Sequence, residues 1–170
     1  MIARMPTGTS QGEIARIEDQ LRRALEGGAW HGPAVLELLD GVTAEQARAH
    51  PIAGAHSIWE LVLHLGGAYR LVLRRLRGDG APLAPDEDWP ALPPPTEEHW
   101  RSSIATLREL NEEARRAVAR FAADRLDQPL VADPPYTAWV QFVGITQHDL
   151  YHAGQIALLK RALAQRPPGP

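Results

Sequence analysis

The stretch HDLYHAGQIALLKRAL, residues 148–163, decides how this chain folds. With Ile145 just before it, the apolar residues Ile156, Leu159 and Leu163 recur in alternating steps of three and four, the period of one helix face. His148 and His152 fall in the same stripe, so the helix turns two imidazoles toward its neighbours. Residues four apart on a helix hold their Cβ atoms about 5–6 Å from each other, and both rings can reach one point in front of it. One long helix is expected from about Thr137 to Ala164.

A partner for that face lies in SIWE, residues 57–60, which has the capping-box form and opens a helix reaching about Arg77. Its inward stripe includes Ile58, Leu61, Val62, Leu65, Tyr69 and Val72, and His64 sits among them. Any one histidine in such a place is readily explained as a core residue bonded to a carbonyl. Three at matching inward positions on two helices point instead to chelation, because a shared dication removes the cost, a few kcal/mol each, of burying unsatisfied rings. His64, His148 and His152 are the expected ligands.

Further outward, Ile14, Ile17, Leu21 and Leu25 mark a first helix over residues 13–25, loosened by Gly27-Gly28. AWHGPAVLELLDG is either a second helix opening at Pro33 or a kinked continuation of the first, and the sequence leaves both open. TAEQ, residues 43–46, caps a short helix that stops near His50 because Pro51 follows. GDGAPLAPDEDWPALPPP, residues 78–95, reads as a long surface crossover. Thr96 caps a third long helix with the stripe Trp100, Ile104, Leu107, Leu110, Ala114 and Val118, and a turn-rich stretch at 127–136 precedes the last helix. The expectation is an all-α protein, a four-helix bundle with a long crossover as its non-adjacent connection. It forms one domain over residues 12–165, between a disordered lead-in, 1–11, and a disordered tail, 166–170.

The 170 residues contain no cysteine, which excludes disulfides, thiolate metal sites and a protein-borne sulfur nucleophile. A net charge of −3 argues against nucleic acid, and no stretch has the apolar length to cross a membrane. The expected setting is the cytoplasm. The one basic cluster, LRRLR at 73–77, is expected to complement the negative end of its helix rather than to bind an anion.

Several other side chains bear on the site. His56 precedes His64 by eight residues, about 12 Å along the axis at about 1.5 Å per residue, and is expected to be structural. His50 and His99 read as surface residues. Asp149 gives HDLYH a likeness to the HExxH pattern of zinc peptidases, but aspartate is too short and rotated too far to serve as their base, so it is expected in solvent or behind the ligands. Glu60, one turn before His64, is a candidate to orient that ring, although the capping box competes for it. His31, Tyr69 and Gln155 are candidates for lining a substrate pocket.

GAHSIWELVLHL, residues 54–65, and QHDLYHAGQIALLKRAL, residues 147–163, with WHGPAVLELL more weakly, resemble the DinB-like superfamily of metal-binding four-helix bundles, which includes bacillithiol transferases and mycothiol-dependent enzymes. The resemblance implies a three-histidine site at His64, His148 and His152, and a homodimer. Gly66-Gly67 departs from it, and glycines there are expected to open space beside the metal. Three neutral imidazoles leave coordination positions free, as in catalytic sites. With zinc or nickel bound, and no cysteine in the chain, the expected function is transfer of a low-molecular-weight thiol to an electrophilic small-molecule substrate. A metal-dependent hydrolase and a non-catalytic metal-binding stress-response module are the alternatives.

Overall fold

The computed structural model describes residues 8–165. Four long helices, α1 (Gly8–Leu25), α4 (Ile58–Leu76), α6 (Glu97–Ala119) and α7 (Ala138–Ala164), form the bundle, and three short ones, α2 (Val35–Leu39), α3 (Ala44–Arg48) and α5 (Pro85–Asp88), lie in its connections. α1 starts inside the expected lead-in; residues 1–7 of that segment, and the expected tail, lie outside the described residues. No strand occurs among the described residues beyond one isolated bridge, and none of their helices is long and apolar enough to cross a membrane.

The helix boundaries follow from their caps. At α4, Ser57 Oγ accepts from the Glu60 amide at 3.2 Å while the Glu60 carboxylate accepts from the Ser57 amide at 2.6 Å, closing the box in both directions. Thr43 and Gln46 do the same for α3, and Thr96 and Thr137 accept from the first-turn amides of α6 and α7. Between α1 and α2 the chain is split rather than kinked. Gly27 and Gly28 have φ of 146° and 78°, values that end a helix and that other residues adopt only at a cost.

α1 packs on α6 and α7, and α4 packs on the same two, so α1 and α4 face each other across the core. Pairings between α4 and α6 advance together, from Trp59–Ser103 through Tyr69–Asn111 to Arg77–Glu113, which makes these neighbours parallel. The crossover therefore joins adjacent helices, not the non-adjacent pair expected. Its length has a different cause: it must carry the chain back along a 19-residue helix, roughly 28 Å. The returning strand of chain is not idle, since α5 lies directly on α4.

The core between these helices is anchored by Trp59 and Trp100, both fully buried with ring centroids 5.2 Å apart. Each indole N–H finds an acceptor, Ser103 Oγ at 2.9 Å and the Val42 carbonyl at 2.7 Å, so their burial leaves no donor unpaired. α7 touches α1, α2 and α4, and is covered around most of its circumference.

Candidate metal centre

α4 and α7 run antiparallel, with His64 opposite His148 and Arg75 opposite Gln141. This register brings three imidazoles together. His148 Nε2 lies 3.0 Å from His64 Nε2 and 3.1 Å from His152 Nε2, and the three are the described residues whose ligand atoms cluster in this way. Two nitrogens bound to one cation at about 2.0–2.1 Å can be no more than about 4.2 Å apart, a limit these spacings respect.

Tautomers sharpen the fit. His64 Nδ1 donates to the Asp88 carbonyl at 2.9 Å, which leaves a lone pair on its Nε2. His152 Nδ1 meets Gln155 Oε1 at 2.7 Å, with the same result. Two lone pairs thus converge on His148 Nε2, which can donate one proton at most, and a cation would resolve the conflict. His148 Nδ1 is itself buried without a partner. Burial, reinforced by the neighbouring His152 and His64, holds His148 far below the ordinary imidazole range, to about 4, and burial likewise lowers His152. Both rings are neutral near pH 7, the form that can ligate.

The crossover completes the centre. His64 Nδ1 is also 3.0 Å from the Asp88 carboxylate, and the Trp89 indole stacks on the His64 ring at 4.0 Å and 3°. On its other side Trp89 stacks on His56 at 3.7 Å and 12°, so His56 acts structurally, yet within one indole's thickness of the site rather than far down the helix. Gly67 makes this approach possible, because a Cβ there would lie 2.7 Å from the Glu87 carbonyl oxygen. The Gly66-Gly67 pair was expected to open space; at Gly67 the crossover fills it. Neither Asp88 nor Trp89 carried a signal in the sequence, since nothing in a proline-rich loop shows which helix it will lie against.

The remaining candidates fall elsewhere. Glu60 does not reach His64, because its carboxylate is taken by the Ser57 amide and by His50 Nε2 at 2.9 Å. Gln155 Oε1 accepts from His152 Nδ1 and so orients that ring. His31 is exposed and borders a depression with Leu150 and Gly154, on a different face of α7 from His148 and His152. Tyr69 is wholly buried in the core, its hydroxyl donating to Asp149 Oδ2 at 2.5 Å and accepting from Asn111 Nδ2 at 2.7 Å.

Asp149 is consequently neither in solvent nor behind the ligands. It is fully buried and faces Tyr69, and burial pushes its carboxyl up to about 7, with the Tyr69 hydrogen bond pulling the other way. Asn111 also reaches the Leu21 carbonyl at 3.3 Å, so the network ties α7, α4, α6 and α1 together. Tyr69→Phe leaves both partners short of a hydrogen bond, at a cost of about 1–3 kcal/mol for each buried group. The expected result is a lowered denaturation midpoint with metal stoichiometry unchanged; an unchanged midpoint would show that the network adds no stability.

A family model described as the DinB superfamily matches residues 28–156, a span that includes all three histidines. Among solved structures, a conserved protein from Enterococcus faecalis is similar in fold, with a TM-score of 0.60 and 16% identity over 96% of this chain and 100% of that one. No curated protein matches the chain.

Proposed function

The chain belongs to the DinB superfamily, and from that premise we propose that it binds one divalent metal, zinc or nickel, through His64, His148 and His152, and transfers a low-molecular-weight thiol to an electrophile in the cytoplasm. The observation that carries this reading is the convergence of three imidazole Nε2 atoms in a chain with no cysteine. His64, His148 and His152 would hold the dication, which would supply Lewis acidity that makes a thiol more acidic.

The protein's own groups do the rest. Asp88 and Gln155 fix the tautomers of His64 and His152, and Trp89 fixes the plane of the His64 ring. Trp89 also covers one face of the His64 ring. For a thiol and an epoxide the reaction balances without another reagent: a C–S bond forms, a C–O bond opens, and the thiol's proton ends on the released oxygen. The hydrolase alternative has no support from Asp149, whose carboxylate points to Tyr69.

The test is consumption of free thiol from bacillithiol, mycothiol, glutathione or coenzyme A in the presence of a model epoxide. Metal-loaded wild type should accelerate loss of at least one thiol, and the apo protein and His64→Ala should not. Equal rates in all three would reject the transferase and favour a binding module.

A further inference from the structure

A cleft of about 230 Å³ starts at His148 and runs between α4 and α7 toward their other ends. Its walls are Leu71, Val72, Val140 and Ile145, and Gly144 leaves its floor open, since a Cβ there would meet nothing within 4 Å. At the far end stands Arg75. Its Nη1 donates to Gln141 Oε1 at 3.0 Å, while Gln141 Nε2 donates to the Tyr136 carbonyl at 3.2 Å, so the guanidinium is held in place by a neutral group. Arg74 and Arg77, from the same basic cluster, are paired with Glu87 and Glu113. Arg75 has no such carboxylate among the described residues, and its Nε is buried without a partner.

A half-buried guanidinium with no carboxylate partner and an unpartnered Nε, at the end of an apolar cleft, is placed to take an anionic group. From His148 to Gln141 is seven positions on α7, about 10 Å at about 1.5 Å per residue. We propose that this cleft is the subsite for the electrophile, and that it takes a small molecule with an apolar body about 10 Å long ending in a carboxylate, bound by Arg75, with the reactive carbon at the His148 end. This deepens the transferase reading and rests on it for the identity of the ligand as a substrate. Low-molecular-weight thiols are polar and gain nothing from these walls, so the apolar partner is the one the cleft fits. The basic cluster was expected to serve only the helix end; Arg75 departs from its neighbours because it alone turns into the groove between α4 and α7.

The probes are octanoate and octanol, titrated calorimetrically against metal-loaded wild type, metal-loaded Arg75→Gln, metal-loaded Gly144→Leu and His64→Ala. Octanoate should bind wild type and weaken about tenfold or more in Arg75→Gln through loss of a charge-assisted hydrogen bond, while His64→Ala reports how much of the binding depends on the metal. Octanol should not distinguish Arg75→Gln from wild type. Gly144→Leu, which fills an open position and favours helix, should lose both ligands. No octanoate binding at millimolar concentration, equal octanoate affinity in Arg75→Gln, or binding unaffected by Gly144→Leu would each overturn the subsite. Arg75-dependent octanoate binding without metal-dependent conjugation would reject the transferase and leave the cleft standing as a carboxylate site. Conjugation of uncharged epoxides without Arg75-dependent binding would reject the cleft alone.

Discussion

His152→Ala is expected to abolish stoichiometric metal binding while leaving the bundle folded. The ring contributes one of three convergent nitrogens, and its removal leaves two donors on different helices with no third to close the site. The loss should exceed the roughly 10–100-fold that follows removal of an outer-shell partner. In the apo state the change is mild, because alanine favours helix and one of the opposed lone pairs disappears. A thermal melt separates the two effects. Metal at about 100 times its dissociation constant stabilises wild type by about 2.7 kcal/mol, and the variant should show no such rise at the same concentration. Full stoichiometry and affinity after chelation and reloading would place the metal elsewhere.

Gly67→Ala is expected to weaken metal binding by about 10–100-fold without touching a ligand. Its Cβ would sit 2.7 Å from a backbone oxygen of Glu87, and backbone cannot swing aside as a long side chain can. α5 must move, and with it Asp88 and Trp89, which orient His64. Gly66→Ala is the control, since its Cβ would meet only the tip of Arg70 at 3.4 Å and a methyl of Leu110 at 3.5 Å. Both substitutions raise intrinsic helix propensity by roughly 1 kcal/mol, so a difference between them reports the crossover's position and not the helix. Equal affinities in the two variants would mean that the crossover does not support the centre.

What the sequence reveals here follows from how local each signal is. Capping boxes at Thr43 and Ser57 are read within four residues, and the observed caps coincide with them. The three histidines are legible because a helical period places each against neighbours of known character, Leu61 and Leu65 around His64, Ile145 and Ile156 around His148 and His152. The same logic fails for Asp149. On a helix covered by α1, α2 and α4, the side facing away from one stripe faces another core, and a carboxylate that the pattern assigns to solvent or to a place behind the ligands is buried against Tyr69. Asp88 and Trp89 fail for a different reason. Their place depends on a long-range approach that Gly67 permits, and a missing Cβ on one helix does not identify the loop that will use the room.

Metal-edge X-ray absorption on the loaded protein, with metal content measured in the same sample, tests the centre most directly. The account predicts one ion per chain and a first shell with three imidazole nitrogens, collapsing in His64→Ala, His148→Ala and His152→Ala alike. An ion retained with fewer imidazoles, or a shell that survives any one of these substitutions unchanged, would contradict it.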